Sequence, residues 1–264
     1  MAISAAQMKQ LREQTGAGLL DCKKALTSAD GDFDLAVENL RKAGMAKAKK
    51  KSDRATNEGR LTTLVGDGAA VFIEILCETD FVSATERFQT FCDELAARAL
   101  AGEGEGDITE ALRVSEEGNI GALVAALQEN IKVNRAVRWT SDGALVGYVH
   151  PNQPLGVLVD VSGGAGEFSN LLAKHIAAAQ PMYRTPDDIP EDVLAKEREI
   201  HNDSPDLASK PENIRDKIIE GKLRKWYADV CLSEQEWFFS DDKVKVSKVS
   251  DATVSRFVRW KIGA

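Results

Sequence analysis

The chain has 264 residues, of which 43% are hydrophobic and 29% charged, a balance that excludes collagen-like, mucin-like and wholly disordered chains. At about 150 residues per domain this length predicts one large domain or two small ones, with roughly 70–75% of the unfolded surface buried on folding. Thirty-four Lys and Arg against 42 Asp and Glu leave a net charge of −8, so a grip on nucleic acid by the whole molecule is not expected.

The first fifty residues predict a compact helical module. Ser4-Ala5-Ala6-Gln7 has the form of a capping box, followed by Met8 and Leu11 at helical spacing. The glycines of Thr15-Gly16-Ala17-Gly18 break that helix, and Leu19, Leu20, Cys22, Ala25 and Leu26 mark a second. Asp30-Gly31-Asp32 makes the next turn, with Asp32 as N-cap. Phe33, Ala36, Val37 and Leu40 then form one face of a third helix, expected to stop at Gly44. The lysine-rich tract 45–58 reads either as a frayed helical extension or as a linker. Between Arg41 and Arg60 eight basic residues stand against only Asp53 and Glu58, so this stretch carries +6 and the remainder −14.

From Leu61 the pattern changes to strands. LTTLV, the turn Gly66-Asp67-Gly68 and AAVFIEILCET predict a β-hairpin whose second strand, apolar on both faces, is central and covered by helices. A helix is predicted from Ser83, where Ser83-Ala84-Thr85-Glu86 forms a second capping box, with Phe88, Phe91, Leu95 and Ala99 as its buried stripe. The loop Gly102–Gly106 ends it. A helix around residues 119–130 leads into an alternating strand of Ile131, Val133, Val137 and Trp139. The second half repeats this outline: strands ALVGYVH and LGVLVDV, the Gly-rich Ser162–Gly166, and a helix holding Leu171, Leu172, His175, Ile176 and Ala179. Hairpin followed by helix in both halves predicts an α+β organisation, with the outline of a duplication. The charged segments EDVLAKEREI and PENIRDKIIEGKLRKWYADV, separated by the polar stretch His201–Pro211, predict a projecting helical hairpin. A last strand is predicted over Thr253–Ile262, with Val254, Val258, Trp260 and Ile262 on one side, and VKVSKV before it also reads as strand-like.

Candidate chemistry is sparse. Cys22, Cys77, Cys92 and Cys231 contain no C-x-x-C and read as small buried hydrophobes in a reducing compartment. With only His150, His175 and His201 available, no spacing resembles a zinc site. The N-terminus lacks an apolar leader core and no run approaches 18 apolar residues, which predicts a soluble cytoplasmic protein. Gly163-Gly164-Ala165-Gly166 follows a strand and precedes a helix but lacks the Gly-Lys-Ser/Thr ending of a phosphate loop, so a tight turn is expected. Glu78 and Asp80 could pair as acid and base on one strand face, without any nucleophile or metal ligand nearby. His175 reads as a satisfied, half-buried member of a helix stripe. His150 ends a strand and opens a loop, where contacts to partners are often placed. Thr79-Asp80-Phe81-Val82 puts an acidic residue and a bulky ring at the junction of a buried strand and a capped helix. Phe81 either folds back under that helix or stands out as an aromatic anchor for a partner's pocket.

Four blocks carry a resemblance over nearly the whole chain. Leu11-Arg12-Glu13-Gln14-Thr15-Gly16-Ala17-Gly18-Leu19-Leu20-Asp21-Cys22-Lys23-Lys24-Ala25-Leu26 resembles the N-terminal signature of the bacterial translation elongation factor Ts family. Cys77-Glu78-Thr79-Asp80-Phe81-Val82 resembles its second signature, and His150 followed by Gly156-Val157-Leu158-Val159 its third. Lys210-Pro211-Glu212-Asn213-Ile214 with Glu220-Gly221-Lys222-Leu223-Arg224-Lys225 resembles the segment closing that family's helical hairpin.

The resemblance implies an α+β fold. It consists of a three-helix ubiquitin-associated-like (UBA-like) domain with its basic linker (1–54) and a core of two subdomains (55–140 and 141–264). Antiparallel sheets in the core are packed by helices, and a coiled-coil hairpin is inserted at about 187–229. It implies guanine-nucleotide exchange on the GTPase elongation factor Tu, with no covalent catalysis, no cofactor or metal of its own, no membrane and no specific nucleic acid. Thr79, Asp80, Phe81 and Val82, with His150, are then the exchange wedge near the partner's magnesium and phosphate-binding loop. Arg12, Leu19, Leu20 and Lys23 are the N-terminal partner contacts. The chain departs from the family in the longer loop Pro151–Leu155, in Glu234–Val249, and in ending at Ala264 where many members continue. Two other classes compete with this reading: an RNA- or ribosome-associated protein acting through Arg41–Arg60, and a hydrolase using Glu78 and Asp80.

Overall fold

The computed structural model describes residues 3–163, 166–204 and 211–263. By its internal contacts the chain divides into two compact units: residues 1–140 with 152–154 and 260–264, and residues 141–151 with 155–259. The architecture is mixed α+β with antiparallel sheets.

The first unit opens with three helices. Helix α1 (Ala5–Thr15) starts on the Ser4 capping box and ends at Gly16, whose φ of 64° is the left-handed geometry that favours glycine. Helices α2 (Leu19–Ser28) and α3 (Phe33–Lys51) follow, the latter capped by the Asp32 carboxylate accepting from the Leu35 N–H. Leu11, Cys22, Leu26 and Ala36 are sealed from solvent in a small core of their own.

Helix α3 does not stop at Gly44. It continues to Lys51 because Gly44 sits against the backbone of Gly121, where a Cβ would come within 2.8 Å of the Gly121 carbonyl oxygen. Glycine serves here as a packing surface for a close helix crossing, and the tract up to Lys51 is helix rather than linker. Of the eight basic residues between Arg41 and Arg60, four form ion pairs among the described residues: Lys42 with Glu38, Lys47 with Asp21, Arg54 with Glu78 and Arg60 with Asp93. Lys51 donates to the Gln128 carbonyl.

Strands β1 (Glu58–Val65) and β2 (Ala69–Cys77) form the expected antiparallel hairpin, and all nine residues of β2 are buried. The polypeptide then makes a single helical turn, α4 (Asp80–Ser83), before α5 (Glu86–Ala101). Ser83 therefore closes one helix rather than capping the next. The cap of α5 is Thr85, whose hydroxyl accepts from the Phe88 N–H at 3.3 Å. Phe88, Phe91, Leu95 and Ala99 are buried as their spacing predicts.

The short strand β3 (Gly106–Asp107) and helix α6 (Thr109–Ser115) have no clear periodic signal in the sequence. Helix α7 (Glu117–Leu127) leads into β4 (Lys132–Thr140), and the sheet order is β1-β2-β4-β3. Strand β4 is not a simple alternation. The register with β2 shifts between Glu74 and Ile75, so Asn134 is an extra residue, and the core-facing set is Ile131, Val133 and Ala136 rather than Val137 and Trp139. One face of β2 (Val71, Ile73, Ile75) packs with α5 and α7 residues, while on the other Phe72 stacks on Trp260 at 4.4 Å.

The second unit carries the hairpin of β5 (Ala144–Val149) and β6 (Leu155–Ser162), then α8 (Glu167–Ala179). Gly163 and Gly166 both have positive φ, as a turn demands, while Gly164 and Ala165 lie outside the described residues. Helices α9 (Glu191–Asn202) and α10 (Glu212–Val230) pack on each other, and the end of α10 is tied back where the Met182 and Tyr183 amides donate to the Val230 carbonyl, while residues 205–210 of the expected hairpin lie outside the described residues. Lys210, part of the block read as closing this hairpin, lies outside the described residues.

VKVSKV is not a strand. Lys245 bridges Glu236, and Val246–Lys248 is a turn of 3-10 helix that buries Val246 against the β6–α8 core. Strand β7 (Thr253–Lys261) lies beside β6, and Ile262 falls just past its end. His175, read as half-buried, is sealed from solvent. Its Nδ1 accepts from the Phe238 N–H at 3.4 Å and its Nε2 lies 3.1 Å from Gln235 Oε1, so the ring stays neutral with its hydrogen on Nε2. Burial pushes its pKa below the ordinary histidine value.

Candidate functional site: an exposed aromatic on a clamped turn

Strand β2 ends buried at Cys77, and the chain must leave the core within two residues. Thr79 makes this possible as an N-cap: its hydroxyl accepts from the Val82 N–H at 3.3 Å and starts α4. Helical geometry then splits neighbouring side chains between core and solvent. Val82 is buried in the main cluster, while Phe81 is 81% exposed. The anchor reading of Phe81 therefore holds over the folded-back one. Asp80 is exposed and accepts from the Phe81 N–H at 3.0 Å.

The turn is clamped from the side by two residues that sequence reasoning passed over. Glu129 Oε2 accepts from the Glu78 and Thr79 N–H groups at 3.1 and 3.0 Å, and its Oε1 accepts from the Thr79 hydroxyl at 2.6 Å. The adjacent Asn130 N–H donates to Glu78 Oε1 at 2.6 Å, and its side-chain amide donates to the Ser52 and Arg54 carbonyls beyond α3. That backbone N–H, helped by Arg54 at 3.3 Å, holds the Glu78 carboxyl below the usual carboxylate range. No sequence pattern announces this: Glu129 and Asn130 follow Gln128, which ends α7 in a left-handed conformation, and stand 50 to 78 positions from their partners.

Glu78 and Asp80 are thus engaged in different tasks, one bound to the Asn130 N–H and Arg54 and the other to the Phe81 N–H, and do not form an acid–base pair. Nearby Cys77 is sealed from solvent, and burial pushes its thiol up to about 12, away from the nucleophilic thiolate. Among the described residues no group of three or more His, Cys, Asp and Glu side chains is placed to hold a metal ion.

Arg12, Leu19, Leu20 and Lys23 are all solvent-exposed on α1 and α2, with Leu19 and Leu20 at 50% and 74%. Two leucines in the open at the start of a helix are not explained by the small core beneath, which takes Cys22, Ala25 and Leu26 instead. The loop joining α1 to α2 is held to α5 by Arg87, which donates to the Thr15 and Gly16 carbonyls at 3.1 and 3.0 Å. The structure thus puts Thr79–Val82 and these four residues in one unit. His150 belongs to the other unit, at the end of β5, where its N–H closes the following loop onto the Leu155 carbonyl at 2.9 Å and its ring meets Tyr148 edge-on.

The arrangement leaves Phe81, Leu19 and Leu20 exposed on an α+β fold, a display of large apolar side chains that protein-recognition surfaces share. Comparison with known proteins gives it a family. The sequence model described as Elongation factor TS matches residues 78–264. An elongation factor Ts of Vibrio vulnificus (strain YJ016) is 40% identical over 265 residues, spanning 100% of this chain and 92% of that protein. The elongation factor Ts of Methylococcus capsulatus is 40% identical over 276 residues, spanning 100% and 93%, and that of Actinobacillus succinogenes 40% over 264 residues, spanning 99% and 91%. The chain belongs to the elongation factor Ts family.

Proposed function

We propose that this protein is the guanine-nucleotide exchange factor of translation elongation, acting on the GTPase elongation factor Tu in the cytoplasm. Asp80 and Phe81 wedge beside the partner's magnesium and phosphate-binding loop, with Thr79 and Val82 as their mount and His150 adding a contact from the second unit. Arg12, Leu19, Leu20 and Lys23 hold the GTPase through the N-terminal helices, a UBA-like domain of about residues 1–54 preceding core subdomains 55–140 and 141–264. Helices α9 and α10 are read as the family's coiled-coil insertion. The protein performs no covalent chemistry and uses no cofactor of its own; magnesium and GDP belong to the partner.

The observation that carries this reading is Phe81, 81% exposed on a turn held by the Glu129 carboxylate and the Thr79 cap in a chain of this family. An exchange factor must bind the empty GTPase more tightly than the nucleotide-bound one, and linkage makes the effect reciprocal. Each tenfold loss of GDP affinity requires about 1.4 kcal/mol of differential contact. An aromatic anchor seated in a partner's pocket supplies on the order of 2–4 kcal/mol, and displacing the metal strips the phosphates of their counter-ion. The decisive experiment is stopped-flow release of fluorescent GDP from elongation factor Tu, with and without this protein. Release accelerated severalfold at micromolar concentration supports the proposal, and an unchanged rate rejects it. The competing RNA-binding reading works through a stretch in which Lys42, Lys47, Arg54 and Arg60 already pair with carboxylates of the first unit. It would require RNA affinity that falls steeply with salt.

A further inference from the structure

We propose that Glu129 is a positioning residue for exchange, fixing the angle at which Phe81 meets the partner through its hydrogen bonds to Glu78 and Thr79. The proposal rests on the wedge reading above. Phe81 has no packing of its own to hold it, being 81% exposed, so its direction is set by the backbone of residues 78–82. That backbone is fixed at one end by buried Cys77 and at the other by buried Val82. Between them, Glu129 alone takes three donors: the amides of Glu78 and Thr79 and the Thr79 hydroxyl, at 3.1, 3.0 and 2.6 Å. The same hydroxyl accepts from the Val82 N–H, so the clamp passes directly into the first turn of α4.

The clamp is anchored in turn. Asn130 donates its N–H to Glu78 and its side-chain amide to the Ser52 and Arg54 carbonyls, where α3 ends. Helix α7, which delivers Glu129, is itself locked to α3 at the Gly44–Gly121 crossing. A continuous set of contacts thus joins the helix carrying the basic tract to the turn bearing Phe81. A wedge gains from such a mount because a binding constellation has to be held within about 0.5 Å of its productive geometry.

The test is the GDP-release assay with the full chain and the variants Glu129→Ala, Glu129→Gln, Phe81→Ala and the Phe81→Ala/Glu129→Ala double variant. Glu129→Ala is expected to lower the saturating exchange rate by about 10- to 100-fold with little change in the half-saturating concentration. Glu129→Gln, which keeps an acceptor for the two amides, recovers most of that loss. The double variant is expected to be no slower than Phe81→Ala, since two residues acting through one wedge are not additive. Equal effects of Glu129→Ala and Glu129→Gln, or a double variant slower by the product of both losses, would overturn the positioning role. A normal rate for Phe81→Ala would instead overturn the wedge reading itself. Should Glu129→Ala melt below the assay temperature, amide hydrogen exchange of the folded wild type decides: protected Glu78 and Thr79 amides support the clamp, and fast-exchanging ones reject it.

Discussion

Phe81 illustrates how a functional residue differs energetically from a structural one. Burying a phenylalanine is worth about 1.5–3 kcal/mol, and the fold forgoes that gain by leaving the ring 81% exposed. Phe81→Ala is therefore expected to leave stability within about 0.5 kcal/mol of wild type while removing most of the exchange activity. Thermal unfolding and GDP release measured on the same preparation check both halves. The cysteines are the opposite case. All four are buried, and burial pushes Cys77 and Cys92 up to about 12 and Cys231 up to about 11. A thiol reagent at pH 8 is expected to label none of them until denaturant unfolds the chain, and rapid labelling of the native protein would contradict this. Both the ring and the thiols were legible as residue types in the sequence. What the sequence left open at Phe81 was its direction, because a strand–helix junction can turn a side chain either way. The Thr79 cap and the burial of Val82 decide it.

At the level of elements, glycine is the residue most easily misread. Gly16 ends α1 through its positive φ, as the sequence predicts, whereas Gly44 lies inside α3 and permits contact with α7. The two cannot be told apart locally, since the second role depends on a backbone almost eighty positions away. Gly44→Ala places a methyl against the Gly121 carbonyl and is expected to cost about 1–3 kcal/mol, although alanine favours an isolated helix. Urea denaturation would measure it, and a variant as stable as wild type would show that the crossing is not tight. Strand β4 fails the simple period-2 reading for a similar reason. The extra residue Asn134 flips every side chain beyond it, and its amide donates to buried Glu74 at 2.6 Å. The expected capping box at Ser83 does not form: α5 starts two residues later on the Thr85 cap, because the chain inserts the Asp80–Ser83 turn that carries the exposed ring.

On the scale of the molecule, the charge balance becomes a prediction about acid. The carboxyls of Glu78, Asp107 and Asp188 are held low by hydrogen bonds. Burial opposes ionisation of Glu116, but its bidentate pairing with Arg98 at 2.9 Å and its bond to Asn119 outweigh that and lower it too. Each of these groups gives up its proton more readily folded than unfolded. The stability they supply is complete above the unfolded carboxylate range of about 4 and is lost as pH falls through the lower folded values. The melting temperature is expected to fall steeply below about pH 4, and Glu116→Gln to flatten that fall while lowering stability at pH 7. A pH profile unchanged by the substitution would remove Glu116 from the account. The +6 stretch belongs to this scale as well: in a charge run read as tether or nucleic-acid contact, Lys42, Lys47, Arg54 and Arg60 pair with carboxylates of their own unit.

Periodicity and capping patterns by themselves determined the α+β class, both hairpins, the stripe of α5 and the helical pair α9 and α10, because backbone hydrogen bonding and amphipathic burial act over a few residues. Signature blocks carried the family, which the full-length relatives support. Only the tertiary structure decided that α3 runs through Gly44, that β4 carries a bulge, and that Glu129 and Asn130 grip the turn beneath Phe81. Those features rest on polar and steric contacts between segments far apart in the chain, and a linear pattern holds no trace of a contact until folding closes the distance.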